Sequence, residues 1–347
     1  MTLFSALCGG WGLFSCSTKQ PTTSEREFSI QIEAKEAIST ASIRGLFLVN
    51  DQVGWASGTG GTFLRMIDGE NWNEDTIAGY THLDFRDVHA LDSNTALLIA
   101  AGEEGRILRT EDGGIFWTEV YTRLDSGIFL DGMDFHGNVG YCYGDPIDGK
   151  FVVIRSDDFG KTWEEVSKEL LPKSLPHEAG FAASGTGLLS LEKMTYVATG
   201  GDSVARIMRT FLGQGKWEFF NTPLRSAEGC GIFSITAAKQ NLIAVGGCYL
   251  DSANATGNCA VSADWGETWS LIAENQPRGY RSCVAYAEKS DFLLTTGRTG
   301  MDYSVDQGYN WMSLNDEGYN TCALADSTGW AMGKSGKMAK LSWSLSE

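Results

Sequence analysis

The chain has 347 residues and a formal charge of −17, from 27 Lys and Arg against 44 dispersed Asp and Glu; this acidic surface argues against a nucleic-acid partner, whose binding runs on phosphate neutralisation. Forty-two glycines, eleven tryptophans and only six prolines, without long amphipathic runs, fit an all-β protein with many tight turns. Four histidines (His82, His89, His136, His177) without CxxC or HxxxH pairing support no zinc site, and the glycine cluster Gly58-Thr59-Gly60-Gly61 lies between strand patterns, so no metal or cofactor is expected.

Residues 1–16 carry no charge and include Leu3, Phe4, Leu7, Trp11, Leu13 and Phe14, an apolar run too short to span a bilayer. The segment resembles a bacterial lipoprotein signal, with Leu13-Phe14-Ser15-Cys16 in the place of the lipobox and Cys16 as the residue that would be lipidated. Residues 17–27 would then be a flexible polar tether. The resemblance implies an exported protein anchored in the cell envelope (periplasm or outer membrane) and touching membrane only through lipid on Cys16; a monomer is expected.

From residue 28 onward one grammar repeats: a short apolar strand, a second strand ending in Gly, a third strand, and a turn of hydroxyl, acid, glycine and tryptophan. The turn is complete in Thr110 to Trp117, Ser156 to Trp163, Ser262 to Trp269 and Ser304 to Trp311. In the first unit Gly69 and Trp72 remain but Ile67 stands where the acid should be; in the fourth, Leu212 replaces the acid before Trp217. The fifth unit starts near Cys230, the sixth at Arg281 and the seventh at Asn320, and the seventh is one strand short. Phe28-Ser29-Ile30-Gln31-Ile32 alternates like a strand and is free to supply it. The inference is a single seven-bladed β-propeller over residues 28–347, four strands per blade, the last blade closed by the N-terminal strand. Glu164 to Leu171, before Pro172, is the one segment expected to form a short helix.

Cys248 and Cys259 flank a ten-residue loop and could close it as a disulfide or be unrelated thiols; Cys142, Cys230, Cys283 and Cys322 lie in apolar strand patterns and read as buried free thiols.

The turns resemble the Asp-box, or BNR, repeat of sialidases and related propellers, and stretches such as Glu178 to Thr186 and Gly279 to Ser282 resemble a bacterial branch related to photosystem II assembly factors. The resemblance implies that Asp112, Trp117, Asp158, Trp163, Asp264, Trp269, Asp306 and Trp311 are fold elements away from any active site. It also implies a non-enzymatic binding or assembly role. A short acid folding back onto its own turn, a glycine at a restricted backbone angle and an indole in the groove between strands explain the pattern structurally.

Laying the units on one another puts Arg44, Arg86, Asp131, Glu178, Cys230, Arg281 and Asn320 at the starts of successive inner strands, around the channel and opposite the turns. Arg44, Arg86 and Arg281, with Arg298 and Lys334, would form a basic wall; Asp131, Glu178 and Glu228, with Asp145, Asp148, Asp202 and Asp251, would form an acidic one. Converging arginines suit a carboxylate, sulfate or phosphate. The leading expectation is therefore a binding propeller that takes an anionic small molecule, glycan or protein partner in this funnel. The alternative is a sialidase-like glycoside hydrolase, with Tyr249 as nucleophile and Asp131, Glu178 or Glu228 as acid, although Arg44 is followed by Gly45 rather than the Pro of the sialidase signature.

Overall fold

A computed structural model describes residues 28–212 and 215–345; the signal segment, Cys16 and the tether lie outside the described residues. Seven four-stranded antiparallel sheets follow one another in chain order. Their innermost strands are Ile43–Leu48, Asp84–Ala90, Leu130–His136, Leu188–Ser190, Cys230–Ala238, Cys283–Ala287 and Thr321–Leu324, which number blades one to seven. The ring closes as the alternation of residues 28–32 suggests. Phe28–Lys35 is the outermost strand of blade seven and pairs antiparallel with Met338–Leu345, from Phe28 opposite Leu345 to Lys35 opposite Met338.

The second strands, Ala96–Ala101, Asn241–Cys248 and Phe292–Gly297 among them, are buried on both faces because each blade is covered by its neighbours, whereas outermost strands such as Thr118–Arg123 are largely exposed. The core is accordingly a ring of inter-blade clusters. Trp55, Phe63, Phe85, Leu98 and Trp117 join blades one and two; Trp330, Met332, Ile43, Leu64 and Trp72 join seven back to one.

The four complete turns share one hydrogen-bond pattern. Gly114, Gly160, Gly266 and Gly308 donate N–H to the hydroxyls of Thr110, Ser156, Ser262 and Ser304 at 2.8–3.0 Å. Asp112, Asp158, Asp264 and Asp306 each accept, at 2.9 Å, the N–H four residues on. Three of the indoles donate to a glycine carbonyl, while the Trp269 nitrogen finds no partner among the described residues. Blade one departs from the sequence expectation: Asp68, one residue after Ile67, supplies the missing carboxylate, and the Asn71 N–H and side chain hold it down to about 2.

Two further expectations are corrected. The segment at Glu164 is not a helix, because Glu164 and Glu165 pair with Arg155 and Ile154 as the outer strand of blade three, leaving a single 3-10 turn at Lys168–Leu170. The disulfide joins Cys230 to Cys248, not Cys248 to Cys259. The hairpin register places Cys230 directly opposite Cys248, with Cα atoms 4.0 Å apart, while Cys259 pairs with Val245 in the next strand and is a buried thiol, as are Cys142, Cys283 and Cys322.

Candidate functional site

The face where the inner strands begin is organised by a recurring β-bulge. The pairing register slips by one residue at Arg44 in blade one, Arg86 in blade two, Asp131 in blade three and Phe233 in blade five. A bulge leaves its residue outside the ladder and re-aims the side chain. Glycine follows Arg44 because blade two passes so close that a Cβ on Gly45 would stand 2.7 Å from the Asp87 Cα.

Blade four has only three residues of inner strand, because residues 180–187 leave the sheet and cross the channel. The Ala182 carbonyl accepts from Arg86 of blade two at 3.3 Å; Ser184 Oγ donates to the Ser282 carbonyl of blade six at 2.7 Å; Thr186 Oγ1 meets Ser234 Oγ of blade five at 2.6 Å. Gly185 lies against Asp87 with φ +78°, and any Cβ there would be 2.0 Å from the Asp87 carboxylate. The segment is a plug built of small residues. Beyond it toward the turn face is a cavity of about 210 Å³, lined by Leu46, Met133, Leu188, Ile235 and Val284 and also by Asp87, His89 and Asp134.

On the other side of the plug lies a basic rim. Arg44 is half-buried; burial, then the neighbouring Arg86 and, more weakly, Arg298 push its guanidinium below the usual range. Neither Arg44 nor Arg298 has a carboxylate at ion-pair distance among the described residues, and the buried Nε atoms of Arg44 and Arg86 have no hydrogen-bond partner there. Arg86 itself reaches Asp84 at 3.2 Å. Arg298 donates to the Tyr249 carbonyl at 3.1 Å and lies 5.7 Å from the ring centroid. Beside the rim stands an aromatic group: Phe181 stacks on Phe233 with centroids 3.9 Å apart, and Tyr280 meets Phe233 edge-on at 4.7 Å.

Asp131 sits under this rim, 1% exposed, with neither carboxylate oxygen hydrogen-bonded among the described residues. Burial, reinforced by Asp145, pushes its carboxyl well above the ordinary range against the pull of Arg86. Burial pushes Asp145 up to about 6, opposed by the 2.9 Å hydrogen bond from the Gly180 N–H.

Other residues anticipated at the funnel are engaged elsewhere. Arg281 is fully buried, with Nε 2.8 Å from Asp302 and Nη1 2.8 Å from Thr299 Oγ1; Ser282, one residue on, stands next to the strand, and one residue in an extended chain reverses the side chain's face. Glu178 is closed inside blade four by Arg206, whose Nε lies 2.9 Å away, and by Thr199 and the Leu175 N–H. Cys230 is in the disulfide, and Asn320 donates to the Ile43 carbonyl at 2.9 Å. Asp251 pairs with Arg225, Asp148 with Lys168, and Asp202 accepts from the His177 N–H; Glu228 and Lys334 are exposed. An acidic wall is therefore not assembled: its members, apart from Asp131 and Asp145, are neutralised locally or face solvent. No cluster of His, Cys, Asp and Glu among the described residues has metal-binding geometry.

No family model and no curated protein matches the chain. Solved structures match its fold. YCF48 bound to D1 peptide superposes with a TM-score of 0.65 at 17% identity, over 89% of this chain and 94% of that one. Virginiamycin B lyase from Staphylococcus aureus gives 0.62 at 12% identity, over 91% and 99%. The GH74 enzyme of Niastella koreensis gives 0.55 at 11% identity, over 87% of this chain and 43% of that one. At these identities the likeness is one of fold.

Proposed function

We propose that this propeller is a binding or assembly protein of the cell envelope that takes an anionic group of a protein or glycan partner on the rim of Arg44, Arg86 and Arg298. The observation that carries the reading is Arg44: a half-buried guanidinium crowded by Arg86 and Arg298, with no carboxylate at ion-pair distance among the described residues and only Asp84, itself paired with Arg86, to offset the cations. A bound carboxylate, sulfate or phosphate supplies that charge and accepts from the unpartnered Nε atoms. The half-buried ring of Phe181, backed by the buried Phe233, offers an apolar surface to whatever carries the anion. The fold likeness to YCF48 bound to a peptide supports a protein partner, and the Cys230–Cys248 bond supports an oxidising compartment.

The test is thermal unfolding in sulfate or phosphate against chloride at constant ionic strength. At a hundred times its Kd the anion stabilises by about 2.7 kcal/mol. Arg44→Ala with Arg298→Ala is expected to remove this increment; an unchanged increment sinks the reading. Arg281→Ala is unsuitable because it strands the buried Asp302.

One observation favours the glycoside hydrolase alternative. Asp131, beside Arg86, and the neighbouring Asp145 are carboxyls whose proton affinity is raised by burial, as a general acid requires. Turnover of a fluorogenic glycoside that disappears in both Asp131→Asn and Asp145→Asn would establish it over the binding role.

A further inference from the structure

The turn face carries a feature the funnel does not explain. Of the sixteen exposed large apolar side chains among the described residues, ten belong to the turns between third and fourth strands or to a strand end beside one. Every blade that has such a turn contributes: Ile67, Phe116, Phe159, Leu212, Trp265 and Tyr309 in blades one to six. Ile115 and Phe116 are 87% and 68% exposed. Packing does not demand these residues, since their side chains stand clear of the clusters that hold the blades together. Backbone geometry disfavours two of them. Phe159 and Trp265 occupy left-handed positions, φ 61° and 58°, where blade two uses Gly113. A bulky residue kept at a strained position, with its ring in water, points to a use for the ring.

Several flanking charges at these turns are paired, while the turn acids Asp68, Asp112, Asp158, Asp264 and Asp306 are held by the N–H groups of their own turns rather than by cations. Arg109 binds Glu111, Arg155 binds Asp157 at 2.5 Å, and Arg209 binds Glu267 at 2.8 Å. A groove whose floor is Leu191, Met194, Ala237 and Trp265, with Glu192, Lys193 and Lys239 at its edges, opens on the same face. The chain also enters here. Phe28 pairs with Leu345 at the turn end of blade seven, the one blade without a turn of this kind, so residues 17–27 connect to this face and reach at most about 40 Å from it.

We propose that the turn face is a membrane-docking face, which lies on a neutral lipid bilayer with its apolar tips among the headgroups and leaves the basic funnel facing water. A ring of aromatic and aliphatic tips around a flat rim is the composition of interfacial binding, in which Trp, Tyr and Phe sit at headgroup level. The charge of −17, with five turn carboxylates held only by their own turns on this face, makes an anionic bilayer unfavourable and a neutral one the matching surface. The inference is independent of what the funnel binds.

The test uses residues 17–347, which contain all twenty-eight strands and no acyl anchor, with vesicles of phosphatidylcholine alone. The protein is expected to sediment with the vesicles and to show tryptophan quenching by lipids brominated in the upper acyl chain. Ile115→Ser with Phe116→Ser and Trp265→Ser should lower the partition coefficient at least about tenfold at an unchanged melting temperature. Arg44→Ala with Arg298→Ala should leave it unaltered, which separates this face from the funnel. Doping the vesicles with phosphatidylglycerol should weaken binding. Failure to bind phosphatidylcholine, binding that needs the anionic lipid, or a triple variant that binds like the unaltered chain would each overturn the proposal, the first in favour of a protein-docking crown.

Discussion

Replacing Asp145 by Asn tests the electrostatics under the rim. The Asn side-chain oxygen can still accept the Gly180 N–H, so the change removes a titration and keeps the local geometry. The folded carboxyl holds its proton up to about 6 against 3.8 for the unfolded group, so between those values the folded state binds more protons. Stability from this group is therefore fully present below pH 3.8 and lost as pH rises through 6. The span of 6 − 3.8, at 1.36 kcal/mol per unit, gives up to about 3 kcal/mol lost from Asp145 by neutral pH. Asp87, also raised chiefly by burial, adds a slope of the same sign that is common to both proteins and cancels, whereas Asp131, raised in part by Asp145, comes down in the variant and adds to the gain in the same direction. Thermal unfolding near pH 4 and near pH 7.5 reads the difference. Asp145→Asn should gain on the unaltered chain between the two, by roughly 5 °C in melting temperature. A gap that does not change with pH would refute the burial account of this site.

Three more outcomes follow from the geometry. Cys230→Ser opens an eighteen-residue loop closure and should cost about 3 kcal/mol, with the same loss when the unaltered protein is reduced, measured by denaturant unfolding. Gly185→Ala drives a methyl into Asp87 at a positive φ and should destabilise by several kcal/mol, whereas Gly149→Ala, also at positive φ but with nothing within 4 Å, should cost only the backbone term of about 1 kcal/mol; equal losses would contradict the plug. Cys16→Ser should remove the acyl mass from the processed N-terminus in intact-mass spectrometry, and an unacylated Cys16 in the parent chain would eliminate the anchor.

The fold was legible because the repeat supplies its own ruler. Hydroxyl, acid, glycine and tryptophan recur at fixed spacing, and the shortfall of one strand in blade seven pointed to Phe28–Lys35. The site was legible only where the ruler held. Arg44 and Arg86 fall on the bulge, and so does Asp131, but in blade five the start was placed at Cys230 while the bulge is at Phe233. In blade six the choice of Arg281 over Ser282 exchanged a channel position for a buried ion pair with Asp302. Counting back from the hairpin turn would have found the disulfide: Ala238 opposite Asn241 fixes the register, and one bulge brings Cys230 opposite Cys248. The plug left a compositional trace, Ala182-Ala183-Ser184-Gly185-Thr186-Gly187, in which nothing is large enough to fill an inner-strand core position.

The plug also decides what kind of site a propeller of this sort can hold. Gly185 and Thr186 close the axis between the funnel and the cavity beyond, so a ligand entering at Arg44 stops at the mouth of the channel, against Ala182 and the buried Asp131. Such a site is shallow. It reads a terminal or protruding charged group and the apolar surface next to it, and it does not enclose a whole small molecule. A shallow basic rim with aromatic neighbours gains its affinity from the partner's size and approach as much as from the anion. Fixing the propeller face-down by its turns would hold the rim toward soluble or protruding partners and limit the search to two dimensions. The two faces then form one device: apolar tips that set orientation, and unpaired arginines on the opposite side that select what is met there.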